Sequence, residues 1–304
     1  MNTLKMVVIN TILISGLAFS NLSMADKHHG APKSYKSTQI TDAVFMLQGK
    51  GGNIGLLKGK DGLLLIDADF KVMSVALKQE IAKHGGVDKL SYIINTHWHG
   101  DHTQGNYELG KYAPILAHDN VRTRLLTSQE IKLFKMVTEP YPAHAVPSIT
   151  YDAHMSLHMN GEHLWVKHFS NGHTDGDSVV FFKNSNIVHT GDHFFSGFFP
   201  FVDVDHGGNV LNMAANVKQI LAMIDDKTVI IPGHGPKSNK QDLQAFHDML
   251  TGTSAEVEAL MKQGMSLEQI QEKGLSSKWD AWTKGFLSTK VWISIVYNSL
   301  SKNS

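Results

Sequence analysis

Residues 97–102 read His-Trp-His-Gly-Asp-His, which places three imidazoles and a carboxylate within six positions. His97 and His99 are two apart, so in an extended segment both point to one side. Asp101 and His102 are adjacent and do not both join that side easily. The spacing therefore suits two metal ions, one on each side of the loop, with Gly100 allowing a tight backbone between the pairs. The theme returns three times: His173 in Asn171-Gly172-His173-Thr174, Asp192 in Thr190-Gly191-Asp192, and His234 in Pro232-Gly233-His234-Gly235. These positions offer five imidazoles, two carboxylates and no sulfur. Such donors suit Zn2+ at about 2.0–2.2 Å, and iron or manganese accepts them as well. Two cations sharing a water lower its pKa toward about 7 and make hydroxide available at neutral pH. The chemistry this implies is metal-assisted hydrolysis, with Asp101 the candidate for handling the proton of the water. No Ser or Cys nucleophile is required, and no Ser/His/Asp order stands out.

Each of these segments follows a run that reads as a strand: 91–94, 164–169, 187–188 and 229–231. A loop beginning where a buried strand ends is a common place for chemistry in α/β folds. Upstream, apolar runs at 44–47, 54–57 and 63–66 alternate with glycine-rich punctuation at 49–52 and 59–62 and read as strands of a buried sheet. Helical spacing covers 71–84 and stops at Gly85-Gly86. A strand at 115–117, a helix near 119–127 and a proline-bearing loop at 139–147 follow. Two antiparallel strands are expected within 153–168, turned at Asn160-Gly161, then a hairpin of 179–182 with 187–188. Helices near 208–223 and 239–262 flank the strand at 228–231. No Pro/Gly/Ser linker divides the halves, so residues 41–304 read as a single α/β domain, strands buried between helical layers, ending in C-terminal helices.

Residues 1–25 have the form of an export signal: Lys5, an apolar stretch from Met6 to Phe19, and small residues ahead of a cut after Ala25. Export to the periplasm or medium is expected, with no stable membrane insertion after cleavage, and residues 26–40 are expected to be a flexible arm. The 28 basic residues less Lys5 leave 27 against 28 acidic ones, and only Arg122 and Arg124 are arginines. With no basic cluster, nucleic acid is not an expected partner; a small-molecule substrate is. The chain has no cysteine, so disulfides and a lipid anchor at the cleavage site are excluded.

The set HWHGDH (97–102), GHTDGD (172–177), TGD (190–192) and PGHG (232–235) resembles the metallo-β-lactamase superfamily over roughly Thr41 to Met249. The resemblance implies an αββα sandwich, two mixed β-sheets flanked by helices. It implies one metal on His97, His99 and His173, a second on Asp101, His102 and His234, and Asp192 bridging both. Two Zn2+ are the expected cofactors. It also implies an exported hydrolase of a small amide, ester, thioester or lactone. Zinc β-lactamases of one group carry Cys where this chain has Asp192 and Lys where it has Phe195. Against that, Gly207-Gly208-Asn209-Val210 opening a helix looks like exported lactamase relatives. A true β-lactamase is therefore the rival enzyme, and a metal-binding protein without turnover is the rival of another class.

Other residues carry weaker expectations. Phe194, Phe195, Phe198, Phe199 and Phe201 suit either a pocket wall or the core. The turn at 49–53 is a plain hairpin rather than a flap, with Lys50 a candidate to attract an acidic substrate. His118, His189 and His193 are read as ordinary buried histidines before ligand-orienting ones, His28-His29 as part of the solvated arm, and Trp279, Trp282 and Trp292 as packing for the terminal helices.

Overall fold

The computed structural model describes residues 34–302. Lys36–Gln39 form β1, paired antiparallel to β2 (Val44–Gln48), which continues through β3 (Ile54–Gly59) and β4 (Gly62–Ile66). Helix α1 (Ser74–Ala82) leads to β5 (Leu90–Ile94), short helices α2 (Gly100–Thr103) and α3 (Asn106–Leu109), then β6 (Ile115–His118) and α4 (Asp119–Leu125). A detached hairpin of β7 (Gln129–Ile131) and β8 (Met136–Thr138) precedes β9 (Ile149–Tyr151). The first sheet has the order β1-β2-β3-β4-β5-β6-β9. The second is β10 (His154–Met159), β11 (Glu162–His168), β12 (Ser178–Phe182), β13 (Ile187–His189) and β14 (Val229–Ile231), in that order. Helices α5 (Val210–Met223), α6 (Lys240–Lys262), α7 (Leu267–Lys273) and α8 (Thr289–Ser301) complete the described chain.

Side chains alternate across each strand and so sort into layers. Leu64 and Ile66 of β4 pack with Val166, Val180 and Ile231 between the two sheets. Leu63 and Leu65 face the other way, onto Met73, Leu77 and Ile81 of the α1 segment. On the far face of the second sheet, Val179, Val188 and Ile230 meet Met213 and Val217 of α5, Phe246 of α6 and Val296 of α8. The layers are α, β, β, α, and a strand buried on both faces needs an unbroken apolar run such as Leu63-Leu64-Leu65-Ile66. Trp292 is fully buried in the helical layer, with Trp279 and Trp282 packed against it.

Four strands depart from the sequence reading. β1 lies within the arm expected over 26–40. Its polar Lys-Ser-Thr-Gln sequence suits an edge strand, which is held by backbone pairing and so leaves no apolar signature. The hairpin of β7 and β8, and β9, are strands of three residues. The expected signal over 1–25 and His28-His29 lie outside the described residues.

Candidate metal centre

All seven candidate residues sit past the C-terminal ends of strands along one edge of the sandwich. His97 lies in a bend after β5, His99 is extended as the N-cap of α2, and Asp101 and His102 occupy the first turn of that helix. His173 follows β11, Asp192 lies in a 3-10 turn after β13, and His234 follows β14. Short backbone bonds tie these loops together: Gly233 N donates to Gly191 O (2.8 Å), Asn53 N to Gly233 O (2.7 Å) and Ser178 N to Thr96 O (2.8 Å). The approach is close enough to require glycine. A Cβ on Gly233 would fall 2.1 Å from Asp192 Oδ1, and one on Gly52 would fall 2.1 Å from the His102 ring. The 49–53 turn is thus pinned onto α2 by Gly52 N to Asp101 O (3.1 Å), as a plain turn rather than a free flap.

The residues gather into two groups, His97, His99, His173 and Asp192, and Asp101, His102 and His234, whose donor atoms within each group lie within 4.8 Å of one another. Asp192 lies between them. Its Oδ2 is 3.3 Å from His173 Nε2 and 3.4 Å from His234 Nε2, while Oδ1 is 3.1 Å from His102 Nε2. His97 and His99 fall in one group and Asp101 and His102 in the other, and the two pairs part because a helix starts at Gly100.

The rear of each ring decides what its front can do. His99 Nε2 lies 2.9 Å from Asp203 Oδ2, and His173 Nδ1 lies 2.7 Å from the carbonyl oxygen of Phe201. His102 Nδ1 lies 2.7 Å from Asp67 Oδ2. These partners are acceptors, so those nitrogens carry the protons and the opposite nitrogens present lone pairs. Thr96 Oγ1 donates to Asp67 Oδ2 and so accepts from His97 Nδ1 at 3.1 Å, which leaves His97 Nε2 a lone pair as well. The front of the cluster is then a set of acceptors facing acceptors. His173 Nε2 and His99 Nδ1 are 2.8 Å apart. His97 Nε2 and Asp192 Oδ1 are buried with no hydrogen-bond partner. Converging lone pairs are repulsive in a buried site unless a cation lies among them, so these residues fit divalent metal ions.

The electrostatics carry the same imprint. Burial, helped by neighbouring imidazoles, pushes His97 well below its ordinary range and His173 down to about 4. Burial also opposes charge on His102, but Asp192, Asp101 and Asp67 outweigh it and raise its pKa well above normal. The same contest takes His234 up to about 9.

A cavity of about 260 Å3 opens over the centre, with His99, Asp101, Asp192 and His234 on its floor. Phe195 and Phe201 line it, whereas Phe194 and Phe199 are fully buried in the helical core, so the phenylalanine run divides between pocket and core. Lys50 lies on the cavity wall. His118 caps α4 and stacks on His168; His189 bonds Asn53 O and Gly191 N; His193 bonds Asn216. Among the described residues, none of these three hydrogen-bonds to the seven candidates. Sequence reasoning missed Asp67 and Asp203. Asp67 accepts from Thr96 N, Thr96 Oγ1 and His102 Nδ1, and at φ 67° it adopts the left-handed conformation that Asp tolerates better than most residues. An acidic residue ending the buried run of β4 was the available signal. Asp69, two residues on, accepts from Lys50 N and Gly51 N and holds the neighbouring turn.

A family model described as the metallo-beta-lactamase superfamily matches residues 47–234. A probable metallo-hydrolase of Methanocaldococcus jannaschii is 24% identical over 194 residues, covering 62% of this chain and 89% of that protein. The probable metallo-hydrolase YqgX of Bacillus subtilis is 24% identical over 179 residues, covering 57% and 81%. Among solved structures, the DIM-1 metallo-β-lactamase superposes with a TM-score of 0.59 at 19% identity, over 73% of this chain and 99% of that one. The inverting sec-alkylsulfatase Pisa1 from Pseudomonas sp. gives a TM-score of 0.65 at 15% identity over 86% of this chain, which spans only 50% of the sulfatase. The two-sheet sandwich with outer helices is shared by these structures.

Proposed function

The chain belongs to the metallo-β-lactamase superfamily as a metallo-hydrolase, and on that premise we propose that it is an exported hydrolase of a small amide, ester, thioester or lactone. His97, His99 and His173 would hold one divalent cation, Asp101, His102 and His234 a second, and Asp192 both; zinc suits the donors best. The observation that carries this reading is the pair of lone pairs 2.8 Å apart on His99 and His173, each fixed by an acceptor behind its ring. When bound, the cations supply Lewis acidity toward a carbonyl oxygen and acidify a water. The chain does the rest. Asp203, the Phe201 carbonyl, Thr96 and Asp67 lock the imidazoles in orientation. Asp101 is the more exposed carboxylate, its side chain open to the cavity, and Oδ2 is the atom we assign to accept the proton of the attacking water. Phe195 stacks on His234 at 4.9 Å between ring centroids and keeps water from that side.

The test is metal analysis together with chelator-sensitive turnover. We expect two zinc ions per chain and hydrolysis abolished by chelator; stoichiometric metal with no turnover across ester, thioester, lactone and amide probes would favour a metal-binding protein. A chromogenic cephalosporin decides the β-lactamase reading, which Asp192 and Phe195 weaken. Export rests on residues 1–25 and is checked by fractionating cells and sequencing the mature N-terminus.

A further inference from the structure

Aromatic rings around the mouth of the cavity form an unbroken arc. Phe195 lies on His234; Phe286, just ahead of α8, is 6.4 Å from Phe195 and 6.1 Å from Phe134 by ring centroids. Phe134, at the turn of the β7–β8 hairpin, meets Phe201 edge-on at 4.9 Å, and Phe201 lies 5.6 Å from His99. The arc runs from His234 to His99, one residue of each group of candidate ligands, along the cavity lining. Phe195 and Phe201 are buried, yet Phe134 is 38% and Phe286 56% exposed. Isolated exposed phenylalanines need no explanation, but neighbouring rings ranged around a polar floor mark a surface that a ligand covers. The volume of about 260 Å3 is below the range of drug-sized sites, which suits a phenyl- or hexyl-sized group and not a long lipid tail.

Resting on the hydrolase reading above, we propose that Phe134, Phe286, Phe195 and Phe201 form a subsite for an aryl or short alkyl group attached to the scissile carbonyl. The substrate class is then apolar acyl compounds of phenyl to hexyl size. The hairpin supplies the selectivity, because Phe134 reaches the arc from an element that belongs to neither sheet.

The experiment uses zinc-loaded full-length protein and 4-nitrophenyl esters from acetate through hexanoate to dodecanoate, with and without chelator. The expected result is a kcat/KM that rises roughly three- to fourfold per methylene up to hexanoate, then falls at dodecanoate. The Phe134→Ala/Phe286→Ala double variant should flatten that rise, mainly through KM. Val137→Ser, on the hairpin but off the cavity and 61% exposed, should preserve the slope. Chelator-sensitive turnover with a flat series, or an unchanged slope in the double variant, overturns the subsite and leaves the hydrolase reading standing. No chelator-sensitive turnover of these esters in metal-loaded protein, with none of the thioester, lactone and amide probes above either, overturns the hydrolase reading. The arc is then judged by calorimetry, where 4-phenylbutanamide binding no better than acetamide would overturn it too.

Discussion

The two groups of candidate ligands are built to different standards. His97, His99, His173 and Asp192 are all buried, and each of the three rings is backed by a fixed acceptor. In the second group only His102 is buried and backed, by Asp67. The side chains of Asp101 and His234 are 23% and 19% exposed to the cavity, and His234 rests against a phenyl ring. A ligand locked by its surroundings loses little freedom on binding metal, whereas a half-exposed one must be ordered at that moment. The first group should therefore hold its ion more tightly, and the second should be the half that adapts during turnover.

The hardest blow to both halves at once is Asp192→Ala. It removes the carboxylate shared between the groups, and losing several kcal/mol of charge stabilisation should cost about 10^3-fold or more in kcat/KM. Metal analysis should show both ions depleted, and retention of both with full activity would break the proposed centre. Next, His173→Ala and His234→Ala separate the halves. Equilibrium dialysis should find one tightly held zinc in His234→Ala and none in His173→Ala; equal losses would erase the distinction. Asp203→Ala is subtler. It removes the acceptor behind His99 and should weaken the tight site about 10- to 100-fold in a competitive chelator titration, with the fold unchanged by circular dichroism.

The smallest effect comes from a pair of imidazoles outside the candidate centre, one buried and one half-buried. His118 and His168 stack at 3.7 Å, and burial, then His118, pushes His168 down to about 4. A depressed folded pKa means that the contribution of His168 is intact above its unfolded value near 6.5. That contribution is lost as pH falls toward about 4. Urea unfolding should show stability declining through that window, and His168→Gln should shallow the decline. An unchanged acid limb in the variant would assign the loss to other groups.

The division between what the sequence reveals and what it hides follows the reach of each interaction. The candidates at 97–102 stand out because their spacing is local, and His173, Asp192 and His234 because each sits beside or within two residues of a glycine after an apolar run. Asn209 likewise announced the start of α5, where its side chain accepts from Leu211 N and Asn212 N. Asp203 was hidden because its partner His99 lies 104 positions earlier. The arc was half visible: the phenylalanines after Asp192 stood out, but Phe134 and Phe286 join them only through folding. The β7–β8 hairpin escaped notice because Lys132-Leu133-Phe134-Lys135 shows no alternation and its strands are too short to carry a period.

That hairpin leaves the body of the fold through a narrow neck. Tyr141 N donates to Leu125 O at 2.8 Å, closing the segment between α4 and β9, and the Tyr141 hydroxyl sits 2.9 Å from Thr103 Oγ1 at the end of the helix that carries Asp101 and His102. Beyond the neck no hydrogen bond among the described residues runs to the seven candidate ligands, and the segment touches the body mainly through Ile131 in the helical core and Phe134 against Phe201. Descent with modification thus has a place to alter diet without touching the engine, and a laboratory grafting new segments between residues 126 and 140 would be working at the same seam.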